Sequence, residues 1–389
     1  MHPDTSAISA IQNLRETLRV SLIEREPEIE AMLLGLVARE HVLLVGPPGT
    51  AKSALANGLT RAIKGADAFS VLLTKFTTPE ELFGPVKLSA LREDRYERAI
   101  YDYLPMAEIG FIDEIWKASS AILNTLLTLL QERTFDNGGM RVACPLRLAV
   151  AASNEWPSAE DGQELGAIFD RFLIRRVVRP VSPSNRSRLL YADLPAAEAV
   201  IGLDAIDAAA MAATTLPVSA EAKDTLAQIL DELAGAGIRP GDRRSRKAVG
   251  IARAAAWLSE ATEVEPGHLE CLADVLWSSP EQVEQTAEIV TRIANPAGAA
   301  LTDLLKEVDE VVAGSSSSTA DAAAKMGAIK KLESCEKKAV KLVTEFMTPT
   351  GKVRAQDLVK FIKGERVNLT ASAMGIDSEK ARAILGGAA

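Results

Sequence analysis

Aromatic residues make up only 4% of this 389-residue chain, and cysteine occurs three times, as Cys144, Cys271 and Cys335. The thiols lie far apart without paired spacing, which argues against a disulfide framework or a cysteine-ligated zinc site and fits a reducing cytoplasm. No apolar stretch approaches the ~20 uncharged residues that a bilayer-spanning helix needs, and Met1 to Leu18 mixes charged with apolar residues instead of forming an export signal. An excess of positive charge is missing as well. The 44 Lys and Arg residues face 53 Asp and Glu, giving a formal charge of −9 and a pI near 5.2. That balance argues against a surface built throughout to grip nucleic acid. What remains, 47% hydrophobic and 25% charged residues with an excess of alanine, reads as a soluble, helix-rich protein of two or three domains.

Two helical stripes open the chain, Ile11, Leu14, Leu18 and Leu22 and then Ile29, Leu33, Leu36 and Val37, with a break around Glu26 and Pro27. Short apolar runs follow at 42–45, 69–73, 109–112, 146–151 and 173–178, alternating with helical segments such as 121–131. This alternation predicts an α/β fold with a mostly parallel sheet covered on both faces. Residues 83–103, rich in charge and tyrosine, and residues 133–145 interrupt the rhythm and read as insertions. The second carries Asp136, Asn137, Gly138 and Gly139 between β-prone flanks, a hairpin signal. From about residue 185 the pattern is helical, with no convincing strand. A break at Asn295, Pro296 and Gly298 sets off a tail with two stripes: Leu301, Leu305, Val308 and Val312, then Ile329, Leu332, Val340, Val343 and Phe346. A serine-rich linker at 314–319 joins them, which suits a helical hairpin or a partner-binding coil, the hairpin being the plainer choice.

The run Gly46, Pro47, Pro48, Gly49, Thr50, Ala51, Lys52, Ser53 sits between an apolar run and a helical pattern with Leu55, Leu59 and Ile63. Strand, glycine loop and helix start aim backbone N–H groups and a helix dipole at one point, as a triphosphate requires. Lys52 would reach the β and γ phosphates of ATP, and the Ser53 hydroxyl would ligate Mg2+. The motif expects glycine where Ala51 stands. Alanine suits the position if it lies in the first helical turn, whereas a left-handed conformation would be costlier for it.

Sixty residues on, Asp113 and Glu114 close the apolar run Ile109 to Ile112. Asp113 can hold magnesium and Glu114 can polarise the attacking water; standing alone, the pair could equally cap a helix at 115–120. Behind a phosphate loop the catalytic reading prevails. Asn154, after the small apolar residues 148–152, could orient that water or sense the γ phosphate, or merely satisfy local backbone. Arg171 and Arg243 complete the set, since arginine suits developing phosphoryl charge and can be supplied by a neighbouring subunit. The bland alternatives are a solvated helix charge for Arg171 and, for Arg239, Arg243, Arg244, Arg246, Lys247 and Arg253, a nucleic-acid patch. No aromatic residues interleave that cluster for base stacking, which argues against nucleic acid as a partner.

With these positions in order, residues 5–295 resemble the AAA+ ATPases, within them the MoxR family and most closely its RavA branch. The similar stretches are 46–53 (GPPGTAKS, alanine included), 77–85 (TTPEELFGP), 104–118 (LPMAEIGFIDEIWKA), 151–154 (AASN) and 169–175 (FDRFLIR). The resemblance implies an AAA+ nucleotide-binding domain at 1–185, an all-helical lid at 186–297 and a helical C-terminal extension at 298–389. It implies that Lys52 and Ser53 are the Walker A pair, Asp113 and Glu114 the Walker B pair, Asn154 sensor 1, Arg171 the arginine finger and Arg243, with Arg244 beside it, the sensor 2 arginine. Residues 83–103 resemble the helix 2 insert of this clade, and 133–145 the insert before sensor 1; both face a ring's central pore in relatives. The family further implies a homo-hexamer with ATP and Mg2+ at subunit interfaces, acting as a chaperone-like remodeller often paired with a von Willebrand factor A (vWA) domain protein. The tail after 298 does not resemble the β-rich insertion with which RavA relatives bind a decarboxylase, so that partner is not implied. A DNA-acting motor and a slow, nucleotide-gated scaffold are the alternatives from other classes.

Overall fold

The computed structural model describes residues 5–157, 163–315, 322–345, 349–374 and 376–386, which form two compact units, Met1–Ala287 and Glu288–Ala389. The first is built on a sheet of five parallel strands: β1 (Val42–Val45), β2 (Ala68–Leu72), β3 (Ile109–Asp113), β4 (Leu148–Ser153) and β5 (Ile174–Val177). Their order across the sheet is β2-β3-β4-β1-β5, with Val45 level with Ser153 on one side and Val177 on the other. The expected runs are thus strands, and β1 is interior. Every residue of β1 and β4 is buried, as strands covered on both faces must be. Parallel strands send all their carboxyl ends to one edge, so the loops after β1, β3 and β4 converge there.

Helix Thr5–Ser21 buries Ile11, Leu14 and Leu18, and helix Glu26–Ala38 buries Ile29, Leu33 and Leu36, with Pro27 in its first turn. On the other side of the sheet, Leu43, Val45, Ile112 and Ala151 pack with Leu123, Leu126 and Leu130 of helix Ser120–Glu132 and with Phe169 and Phe172. His41 is buried just before β1. Its Nδ1 accepts the Ala149 N–H at 3.0 Å, and its Nε2 lies 2.9 Å from the Leu130 carbonyl, so a neutral ring before β1 ties β4 to helix Ser120–Glu132. Burial holds its pKa well below the usual histidine range.

The two insertions lie together. Thr134–Asn137 and Met140–Ala143 pair as an antiparallel hairpin, with Gly138 and Gly139 both at positive φ. The Asn137 amide accepts the Arg98 N–H at 2.7 Å and donates to the Arg98 carbonyl at 3.2 Å, extending the hairpin onto the first insertion. A Cβ on Gly138 would lie 2.0 Å from the Tyr96 carbonyl, so this approach demands glycine.

Helices Leu203–Thr215, Ala220–Gly235 and Asp242–Leu258 and the 3-10 segment Pro266–Asp274 form the helical region that follows the sheet. Ser219 caps the second helix by accepting the Ala222 N–H at 3.0 Å. The expectation of no strand beyond 185 needs one correction: Ile201–Gly202 pairs in parallel with Ile63–Lys64, a bridge too short to leave a periodicity.

In the second unit, helices Pro296–Ser315, Ala322–Glu345 and Pro349–Met374 pack around Leu304, Val308, Leu332, Cys335, Ala339, Leu342, Leu358 and Ile362. A third long helix therefore joins the expected pair, and most of both stripes face the core: Leu301, Val308, Ile329 and Leu332 are buried there, with Val312 and Val343 packed against them. Leu305 and Val340 face outward at 41% and 50% exposure, while Leu304 and Ala339 take the core positions. Of the expected linker, Gly314 and Ser315 close the first helix; 316–319 and Phe346 lie outside the described residues. No helix among the described residues is long and apolar enough to cross a membrane.

Candidate nucleotide site

The loop 46–51 leaves β1 between its two neighbouring strands. Gly46 donates its N–H to the Ser153 carbonyl at 3.1 Å, and a Cβ there would lie 2.2 Å from the Val178 carbonyl, so the chain enters the loop through a gap only glycine fits. Thr50 Oγ1 donates to the Pro47 carbonyl at 2.8 Å, closing the loop on itself. Pro48 and Gly49 are exposed at its tip, Gly49 with φ 78°. Ala51 stands at φ 67° and ψ 19°, immediately before helix Lys52–Ala62. It is therefore left-handed and not in the first helical turn, the costlier of the two cases for alanine. Two positive-φ residues in three turn successive N–H groups to one side and form an anion-binding concavity at a helix start.

Lys52 is buried, and its ammonium donates to the carbonyls of Gly46 at 2.7 Å and Pro47 at 2.9 Å and to Asn154 Oδ1 at 2.8 Å. Burial lowers its pKa, while Asp113 and Glu114 oppose the shift. The Asn154 amide in turn donates to Glu114 Oε1, so one side chain joins the lysine to the acid. Ser53 Oγ donates to Asp113 Oδ2 at 3.1 Å, and Asp113 Oδ1 accepts the Glu114 N–H at 3.0 Å. The two carboxylates thus diverge, one toward the loop and one toward Asn154. Glu114 is itself left-handed at φ 55°, buried, and paired with Lys117 Nζ at 3.4 Å, a cation that sequence reasoning did not single out. A 3-10 turn, Ile115–Lys117, occupies the place of the helix considered at 115–120. Lys52, Ser53, Asp113, Glu114 and Asn154 therefore meet in one place, as oxygen ligands and donors suited to a magnesium-bearing polyphosphate.

Arg171 and Arg243 meet elsewhere. Arg171 ends helix Gln163–Arg171 and Arg243 lies in the first turn of helix Asp242–Leu258; both face the Asp170 carboxylate, at 3.6 and 3.5 Å. Among the described residues no hydrogen bond or ion pair links this cluster to the nucleotide residues. Arg244 is buried, donating to the Val275 carbonyl at 2.8 Å and to Asp170. Lys247 pairs with Glu40 at 2.7 Å. The basic run at 239–253 is thus partly consumed by internal acceptors. Arg175 was not foreseen as functional. It is buried, donates to the carbonyls of Phe169, Phe172 and Trp277, and lies 3.8 Å from the centroid of the Phe169 ring. Aromatic contacts continue outward, from Phe169 to Trp116 at 5.9 Å and from Trp277 to Trp156 at 5.8 Å. Trp116 follows Glu114 by two residues and Trp156 follows Asn154 by two, so three of the four tryptophans join this aromatic chain.

Residues 9–210 match the MoxR domain of the MoxR-vWA-beta-propeller ternary systems, more than half of the chain. The chain belongs to the MoxR family of AAA+ ATPases. Residues 222–290 match an AAA lid domain, a span that takes in helix Asp242–Leu258, the 3-10 segment Pro266–Asp274 and most of helix Ala220–Gly235. An uncharacterized protein of Methanocaldococcus jannaschii, MJ0812, is 37% identical over 288 residues, 73% of this chain and 76% of that one. The chaperone MoxR1 of Mycobacterium tuberculosis is 29% identical over 172 residues, 44% of either chain. A crystal structure of a protein from Cytophaga hutchinsonii assigned as an ATPase superposes with a TM-score of 0.61 at 16% identity, over 75% of this chain and 96% of that chain, a likeness of fold.

Proposed function

We propose that this MoxR-family protein hydrolyses ATP to remodel or mature client proteins, working as a hexameric ring with its ATP sites at subunit interfaces. The observation that carries the reading is the unbroken contact chain Lys52, Asn154, Glu114 beside the Ser53–Asp113 pair. In this reading the loop 46–51 and Lys52 hold the phosphates, and Glu114 orients and polarises the attacking water. Asn154 feels both, since a phosphate drawing Lys52 away from Asn154 would loosen the amide's hold on Glu114. The Ser53 hydroxyl and Asp113 carboxylate, hard oxygen donors in contact with each other, would hold Mg2+, which when bound supplies charge neutralisation at the phosphates. Arg171 and Arg243, facing one shared acid apart from their own chain's loop, are read as acting on a neighbouring subunit's nucleotide.

The nucleotide-binding domain is assigned to 1–185, the lid to 186–297 and the extension to 298–389. The alanine at 51 carries the RavA-like branch reading, and a cytoplasmic location follows from the same resemblance. The description of the matching family points to a vWA protein, and a β-propeller protein with it, as partners. Because Arg244 and Lys247 of the basic run at 239–253 are engaged internally, a DNA-acting motor is the weaker reading. The test is a pair of variants: Glu114→Gln should bind ATP as the parent does and lose turnover, whereas Lys52→Ala should weaken ATP binding itself. Parent-like turnover by Glu114→Gln would sink the assignment.

A further inference from the structure

We infer that Asp170 is a positioning residue that sets Arg171 and Arg243 as a pair for the phosphate they meet; this rests on the interface reading above. Four guanidinium groups surround its one carboxylate, and they divide by oxygen. Oδ1 faces the inner pair, Arg244 at 2.5 Å and Arg175 at 3.8 Å, while Oδ2 faces the outer pair, Arg243 at 3.5 Å and Arg171 at 3.6 Å. The inner pair is 2% and 1% exposed, the outer pair 34% and 21%. Arg244 and Arg175 are also tied to backbone carbonyls, of Leu173 and Val275 for the first and of Phe169, Phe172 and Trp277 for the second. Those bonds fix the inner side of the carboxylate to both the sheet and the lid. Its outer oxygen is thereby fixed too, and it is the acid to which the two partly exposed arginines are paired.

Charge makes the arrangement purposeful. Two guanidiniums side by side repel: burial first, and then Arg243, lowers the pKa of Arg171, while Asp170 raises it. One carboxylate among four cations holds the outer pair together without neutralising it, and the surplus charge lies on the more exposed side. A phosphoryl group arriving from a neighbouring subunit would then meet two cations already set side by side, and pre-set geometry of this kind is where a displacement of about 1 Å can cost 10²-fold in rate.

The experiment uses full-length protein and subunit mixing, with steady-state ATP hydrolysis as readout. Asp170→Asn alone should lose about 10²-fold in kcat with little change in KM, because its own loop, acid pair and Asn154 are untouched. Mixed with Glu114→Gln subunits, which keep their arginines but cannot hydrolyse, the Asp170→Asn subunits should regain activity at their own sites. Arg171→Ala mixed with Glu114→Gln runs in parallel. Recovery with Arg171→Ala but none with Asp170→Asn overturns the role of Asp170 and leaves the interface reading standing; recovery with neither overturns both. If Asp170→Asn does not fold, Asp170→Glu keeps the charge and moves it by one methylene. It should keep the parent's thermal midpoint, lose about tenfold in kcat and be rescued in the same mixture. A parent-like kcat for Asp170→Glu would overturn the proposal.

Discussion

At φ 67°, Ala51 adopts a conformation that costs a residue with a Cβ about 1–2 kcal/mol relative to glycine. The loop holds it there because the next residue must start the helix while Lys52 turns back onto the Gly46 and Pro47 carbonyls. Glycine would remove that strain but lose about 0.4–1 kcal/mol through the greater freedom of the unfolded chain. Ala51→Gly should therefore leave the thermal midpoint unchanged or raise it slightly. Ala51→Val should lower it clearly, since a β-branched residue is a genuine outlier at positive φ. A midpoint insensitive to valine in thermal unfolding would show that the loop does not need this conformation. The phosphate-loop residues were legible because their chemistry is local: glycines, lysine and serine act within eight positions of one another. The backbone state of Ala51 was not, because a one-residue choice between helical turn and left-handed cap depends on where the preceding strand delivers the chain.

Between elements, Asp207 on helix Leu203–Thr215 accepts two hydrogen bonds from Arg147, at 2.9 and 2.8 Å, and one from Arg39 at the end of helix Glu26–Ala38. One carboxylate thus ties the lead-in to β4 to helices Glu26–Ala38 and Leu203–Thr215. The Arg147 bonds, and then Arg39, hold its pKa down to about 2, against an ordinary 3.8. The folded state favours the ionised acid, so the contribution is full above 3.8 and is lost as pH falls toward 2. Asp207→Asn should lower the thermal midpoint at neutral pH, with the gap to the parent narrowing as pH drops through that window. A gap of constant size would refute the electrostatic tie. Neither this triad nor the Asn137–Arg98 seam between the insertions could be read from sequence, because each joins segments whose contact depends on how the sheet brings them together. The hairpin itself could be read, since paired glycines between β-prone residues specify their own turn.

Across the whole molecule, the five residues of the nucleotide site and the arginine pair form separate groups within one chain. If the arginines serve a neighbour, hydrolysis per subunit should rise with protein concentration until the ring is assembled and then level off. The measurement is single-turnover hydrolysis over a dilution series, read beside sedimentation of Glu114→Gln with ATP. A rate per subunit independent of concentration, in a protein that sediments as a monomer, would exclude the interface mechanism. The C-terminal bundle keeps its expected stripes at Leu301, Val308, Ile329 and Leu332 and departs from them at two positions. Leu305 and Val340 continue the spacing of their neighbours, yet Leu304 and Ala339 are the residues buried in the three-helix core.

By itself, the sequence determined the phosphate loop, the acid pair, the alternation that becomes a five-stranded parallel sheet and the hairpin, because each depends on periodicity or turn chemistry within a few residues. Only the tertiary structure decided that Asn154 joins Lys52 to Glu114, that Lys117 pairs with that acid, and that Arg244 is an internal anchor while Arg243 stays partly exposed. It also brought four arginines from two regions of the chain to the single carboxylate of Asp170. Charges some seventy positions apart have no local signal of their partnership; it exists only once the lid helix is packed against the end of the sheet.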